Sequence, residues 1–180
     1  VAESLGMRVF FYDIVDKLAL GNAQRCNSLD ELLGEAETIS LHVDGRQSNK
    51  GFFGDAEFRL MRPRSLFLNL SRGFIVDDVA LKKHLDSGHI AGAALDAFPV
   101  EPKSNDEEFV SPLRGTPNVI LTPHVGGSTQ EAQEGIGRFV AGKMVDFAEN
   151  GATILSVNLP QVQAVRPGVR RITHLHHNVP

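Results

Sequence analysis

The stretch SLFLNLSRGFIVDDVALKKHLDSGHIAGAALD, from Ser65 to Asp96, decides the reading of the fold. It opens on an apolar run, Ser65 to Leu70, of strand length and closed by a polar turn at Ser71-Arg72-Gly73. Asp77 to Leu85 then reads as a helix with an acidic start and an end near Gly88. His89 to Leu95 is a second short strand, built from small and apolar residues and stopped by Asp96. Strand, helix and strand within about thirty residues form a unit that pairs its strands in parallel.

The alternation extends in both directions. Upstream, Met7 to Tyr12 is an apolar strand that follows Gly6 and closes at Asp13. Ser28 with Glu31 opens a short helix, Thr38 to Val43 is a strand, and Asp55 to Met61 is a helix stopped by Pro63. Downstream, an acidic, proline-containing loop leads to one more strand, Val119 to Leu121. Nearly continuous apolar strands between helices predict an α/β fold, a parallel sheet covered by helices on both faces. The texture changes after Gly127. Ser128 to Glu149 reads as a long amphipathic helix, with Ser128 and Glu131 as a capping box and Ile136, Val140, Met144 and Phe147 at helical spacing. Asn150-Gly151 ends it, Pro160 to Gly168 is a linker, and Val169 to Pro180 reads as the opening strand of another domain.

Bulk composition excludes more than it assigns. With 180 residues, 42% of them hydrophobic, the chain has material for one sizeable core. A net charge of -4 argues against a nucleic-acid or anionic-membrane partner, and no run is long and apolar enough to span a bilayer. A single cysteine, Cys26, excludes an internal disulfide and fits a reducing, cytoplasmic setting. Val1-Ala2-Glu3-Ser4-Leu5 reads as the tail of a helix already under way, so the chain is expected to be cut from a longer one.

Polar groups gather at the predicted strand ends: Asp13, His42, Ser71 and Arg72, Asp96 with Glu101, and His124. In open α/β sheets the ligand crevice lies outside the carboxyl ends of the strands. Each position also has a plainer structural reading, because polar turn residues normally fall there. An acid placed like Asp13 binds the adenosine ribose of a dinucleotide and repels a 2'-phosphate, favouring NAD; the alternative is an Asx turn. The glycine loop belongs about 20 residues before such an acid. That places it ahead of Val1, and a chain without it is expected to show no turnover alone.

Arg72 suits bidentate recognition of a carboxylate, or else is a surface arginine. Glu101, in a loop fixed by Pro99 and Pro102, suits a partner that holds a histidine in one tautomer, or else faces water. His124, between Pro123 and the Gly126-Gly127 pair, sits on a rigid turn; it suits proton exchange with a carbinol, or else is an ordinary turn residue. Cys26 reads as an ordinary thiol, and His84 and His89 as makers of local contacts at a helix end. His174, His176 and His177 lack a cysteine or acidic companion, so no metal site is expected there.

Asn69 to Gly73, Ala94 to Pro102 and Leu121 to Gly127, in this order and spacing, resemble the D-isomer-specific 2-hydroxyacid dehydrogenase family. The segments Ser128-Thr129-Gln130-Glu131-Ala132-Gln133 and Val140-Ala141-Gly142-Lys143 extend the resemblance over essentially the whole chain. It implies a Rossmann-type NAD-binding domain over residues 1–127, a return segment of the substrate domain and linker over 128–168, and the start of a regulatory ACT domain over 169–180. It further implies that Arg72 binds the substrate carboxylate, Glu101 pairs with the catalytic histidine, and His124 is the general acid and base. Asp13, His42, Val43, Ser71, Asp96, Gly126 and Gly127 are implied along the cofactor, with Asp96 facing the nicotinamide carboxamide.

The branch resembled most closely oxidises 3-phospho-D-glycerate for serine synthesis. The implied partners are a phosphorylated 2-hydroxy or 2-keto acid, L-serine as a feedback inhibitor at His176 and Asn178, and further copies of the chain in a dimer or tetramer. Two alternatives stay open: the same chemistry on hydroxypyruvate, glyoxylate, D-lactate or erythronate 4-phosphate, and a non-enzymatic NAD(H) sensor on the same scaffold. The chain departs from the family pattern at Asp44-Gly45-Arg46, where a proline-containing continuation is usual. It also departs at Leu70 for alanine, Phe74 for threonine, and Arg62-Pro63-Arg64 for Lys-Pro-Gly.

Overall fold

Apart from one short polar strand, the strands appear where the apolar runs lie in the computed structural model, which describes residues 1–15, 17, 19, 21–104, 106–156 and 159–163. A single turn of 3-10 helix, Glu3–Leu5, stops at Gly6, whose φ of 79° a residue with a side chain resists. Strand β1 (Phe10–Phe11) pairs in parallel with β2 (Gln24–Arg25), an exposed and polar strand that has no apolar pattern to announce it. Helix α1 (Leu29–Glu35) is capped by Ser28, whose hydroxyl accepts from the Glu31 N–H. The Glu31 carboxylate reaches one residue further back than a capping box requires, to the Asn27 N–H. Then come β3 (Thr38–Leu41), α2 (Asp55–Leu60), β4 (Ser65–Asn69), α3 (Asp78–Asp86), β5 (Ile90–Leu95) and β6 (Val119–Leu121).

Strands β3 to β6 form one parallel sheet in that spatial order. Its register decides where function can sit. Leu41, Asn69, Leu95 and Leu121 are mutual partners, so the last residues of these strands lie in one row. Everything that follows them, from His42 to His124, is delivered to the same edge of the sheet.

One face of the sheet carries Ile39, Leu41, Phe67, Ala93 and Leu95, all buried against Leu33 of α1, Phe58 of α2 and Leu81 of α3. The rings of Phe53, Phe58 and Phe67 meet at centroid distances of 4.9 to 5.1 Å and anchor this core. On the other face Leu66 and Ile120 are exposed, so among the described elements of this unit helices cover the sheet on one side. Alternation along β4, with Ser65, Phe67 and Asn69 buried and Leu66 exposed, shows a half-covered strand.

The chain divides into two compact units, Val1–Val125 and Gly126–Pro180. The second is dominated by helix α4 (Gln130–Asn150). Its cap is Thr129, which accepts from the Ala132 N–H, and not Ser128 as the sequence suggests. It ends at Gly151 in the left-handed region, and none of its residues is buried. The expected strand at 169–180, with His176 and Asn178, lies outside the described residues.

Two stability measurements test this architecture. A Cβ placed on Gly73 would lie 1.9 Å from the Phe98 carbonyl carbon. Gly73→Ala is therefore expected to lower the urea-unfolding free energy of the chain by about 3 kcal/mol, the upper range for overpacking. Asp78 is buried at the start of α3 with Oδ1 lacking a hydrogen-bond partner. Burial first, and then the neighbouring Asp77 carboxylate, pushes its carboxyl up to about 6. The folded chain thus holds this proton to a higher pH than the unfolded chain, so the cost of ionising it is absent below about pH 4 and complete above about pH 6. Asp78→Asn is expected to raise stability at pH 8 by roughly 2 kcal/mol and to change little at pH 4; equal effects at both pH values would show that ionisation is not the cause.

Candidate active site

Asn69, fully buried at the end of β4, organises the loop that carries Arg72. Its Oδ1 accepts from both the N–H and the hydroxyl of Ser71, at 3.1 and 2.8 Å, and its amide donates to the Arg72 carbonyl at 3.1 Å. An amide in a core position must find partners, and the turn supplies them. Arg72 itself is exposed and extended, with its guanidinium donating to the Ser71 carbonyl at 2.8 Å. Gly73, directly after it, lies against the Phe98 backbone.

The second loop grows from β5. The Asp96 N–H donates to the Asn69 carbonyl at 3.0 Å, tying the two strand ends together. Its side chain is buried, and Oδ1 accepts from the Thr122 hydroxyl at 2.6 Å and the Val125 N–H at 3.0 Å. These bonds straddle His124, whose backbone is left-handed at φ 54°. That conformation is costly for a residue with a side chain, and Asp96 helps to hold the turn that imposes it. The His124 N–H closes the turn onto the Thr122 carbonyl at 2.9 Å.

Glu101 completes the arrangement. One carboxylate oxygen accepts from the Phe98 N–H at 3.0 Å, and both lie 3.0 Å from Nδ1 of His124. A carboxylate can only accept, so the pair fixes the proton on Nδ1 and leaves Nε2 as the nitrogen that gains or loses a proton. Burial acts to raise the Glu101 carboxyl, but the bonds from His124 and Phe98 outweigh it and hold it below its usual range. A cavity of about 410 Å³ opens beside the pair, lined in part by Phe98, Pro102, Phe109 and Leu121.

The remaining candidates sit as follows. Asp13 follows β1, and its Oδ1 accepts from the Val15 N–H at 2.9 Å, which is the Asx turn. His42 is exposed after β3 with Nε2 2.9 Å from the Ser40 hydroxyl, while Val43 packs against the core. Gly126 and Gly127 begin the second unit, where the Gly127 carbonyl accepts from the Gln133 amide. Asn69 and Thr122 have organising roles to which the residue-by-residue reading gave no weight. A polar amide closing an apolar strand was the available signal for Asn69. Burial, with smaller contributions from Glu31 and Glu35, raises the Cys26 thiol, consistent with an inert residue. Among the described residues there is no cluster suited to a metal and no helix long and apolar enough to cross a membrane.

Comparison with known proteins gives the family. Residues 1–126 match the family described as D-isomer specific 2-hydroxyacid dehydrogenase, NAD binding domain. The chain belongs to this family. Over all 180 residues it is 52% identical to D-3-phosphoglycerate dehydrogenase of Escherichia coli strain K12, of which it covers 44%. It is 50% identical to the Haemophilus influenzae protein of that name, again covering 44%. The chain thus spans under half the length of these curated relatives. Among solved structures of the family, D-2-hydroxyisocaproate dehydrogenase aligns over 81% of this chain and 47% of its own, at 29% identity and a TM-score of 0.69. D-lactate dehydrogenase with NAD+ from Lactobacillus jensenii aligns over the same shares at 27% identity and a TM-score of 0.67.

The Glu101–His124 pair can be tested without turnover. Because the Glu101 carboxyl lies below its unfolded value, the pair's contribution to stability is complete above that value and is lost as pH falls through the folded one. A carbon-detected NMR titration is expected to place Glu101 below an ordinary glutamate, and to move it upward in His124→Ala. A midpoint unchanged by that substitution would dissolve the pair.

Proposed function

We propose that this chain forms most of the cofactor domain and the catalytic pair of an NAD-dependent enzyme interconverting 3-phospho-D-glycerate and 3-phosphohydroxypyruvate, the first step of serine synthesis. The Glu101–His124 pair, with both carboxylate oxygens 3.0 Å from Nδ1, is the observation that carries the chemistry. The choice of substrate is supported by identity to D-3-phosphoglycerate dehydrogenases along the whole chain.

The residues at the strand ends suit a dinucleotide. Asp13 is acidic where a ribose diol needs an acceptor, Val43 offers an apolar surface, and Asp96 stands at the end of β5. When bound, NAD supplies the hydride acceptor for the substrate's carbinol carbon. The chain's own part is binding and proton movement. His124 Nε2 takes the hydroxyl proton in the oxidative direction and returns it in the reductive one. Glu101 holds the ring in the right tautomer and stabilises it once charged. Arg72 meets the carboxylate and offsets negative charge on the reacting oxygen. Residues 128–168 are proposed as a return segment of the substrate domain, and 169–180 as the start of an ACT domain in which His176 and Asn178 meet L-serine.

NADH oxidation by the full-length protein with 3-phosphohydroxypyruvate, with and without L-serine, tests this reading beside hydroxypyruvate and pyruvate controls. Preference for the phosphorylated acid, suppression by serine, and a roughly 1,000-fold loss of kcat in His124→Gln are the expected results. Activity confined to an unphosphorylated acid would move the substrate to a sister enzyme. NADH binding without turnover of any acid would make the protein a sensor.

A further inference from the structure

The departure at Asp44-Gly45-Arg46 forms a built charge pair just past the end of β3. Arg46 Nε donates to the two Asp44 carboxylate oxygens at 2.8 and 3.0 Å, and Nη2 reaches Oδ2 at 2.5 Å. The Asn49 amide pins the acid from the other side, donating to the Asp44 carbonyl at 2.9 Å and to Oδ1 at 3.1 Å. Gly45, between the two charged residues, has Arg72 lying over it: a Cβ there would sit 3.4 Å from the arginine's Cγ and Nε. The pair therefore stands beside the substrate-facing arginine. It is also within electrostatic reach of Asp13, whose charge adds to the stronger effect of the Asp44 hydrogen bonds in raising the Arg46 pKa.

An arginine close to the ribose acid is the usual means of accepting a dinucleotide that carries a 2'-phosphate. The guanidinium fork matches phosphate as well as it matches carboxylate. Here the fork is already filled. Asp13, Asp44 and Arg46 together carry a net charge of -1, with the cation turned onto its own loop. We propose that the Asp44–Arg46 pair sets cofactor selectivity: Asp44 occupies the guanidinium that would otherwise receive a 2'-phosphate, and so reserves the adenosine end for NAD. This rests on the reading of Asp13 as the ribose acid.

The test is the ratio of NADPH to NADH dissociation constants, measured by fluorescence titration on the full-length protein. Asp44→Asn keeps an oxygen for the Asn49 amide and removes the charge from the fork. It is expected to shift the ratio toward NADPH by about fivefold, the range open to an exposed charge, and less at high salt. Arg46→Ala is expected to shift it the other way. In an Arg46→Ala background, Asp44→Asn should lose most of its gain. No shift in Asp44→Asn would overturn the proposal, as would a gain that persists undiminished without Arg46. Failure of the parent protein to bind NADH would overturn the dehydrogenase reading and this proposal with it, a result distinct from NADH binding with unchanged selectivity.

Discussion

The arrangement depends on a side chain that is missing. At Gly73 the loop after β4 comes so close to the Phe98 backbone that no Cβ fits between them. That approach joins the loop of Arg72 to the loop of Glu101. Arg72 leads into it on one side, and on the other the Phe98 N–H positions Glu101, which holds His124. Close backbone approach is what glycine permits and any other residue obstructs. Without it, the arginine and the acid–histidine pair would be spaced only by the pairing of β4 with β5 and the Asp96 N–H bond to Asn69.

Asp96 has a complementary part. Buried at the end of β5, it bonds the residues on both sides of His124, to Thr122 and to Val125. The histidine's unfavourable backbone is thus held by the bonds that its neighbours make to Asp96. The resemblance to the family implies a role for this acid facing the cofactor, and the structure shows its load within the fold. If it has both duties, the acid ties the shape of the histidine turn to whatever occupies the crevice.

The core of this picture was legible in the sequence because apolar runs of strand length are hard to place otherwise. Strands β4, β5 and β6 fall within one residue of their sequence-based bounds. The Glu101–His124 contact bridges 23 residues, yet its members were marked by rigid flanks, prolines around the acid and a proline before the histidine. What escaped had no such signature. Strand β2 is two exposed polar residues whose pairing depends on β1, a tertiary fact that no periodicity encodes. The cap of α4 moved from Ser128 to Thr129 because either hydroxyl suits the position, and the backbone chose. Asn69 had no reading of its own within the apolar run, and it is the group that shapes the turn after it.

The left-handed backbone at His124 also bears on how such a protein can change over generations. Few side chains tolerate that conformation; glycine and asparagine do so most readily, and β-branched residues hardly at all. On the proposed reading of His124 as the proton carrier, the substitutions that least disturb the turn are ones that would abolish proton transfer. A lineage leaving catalysis could lose the histidine to asparagine with the sheet, the core and the crevice intact. On that reading the route from enzyme to silent binder is short in structural distance, through the geometry of one turn.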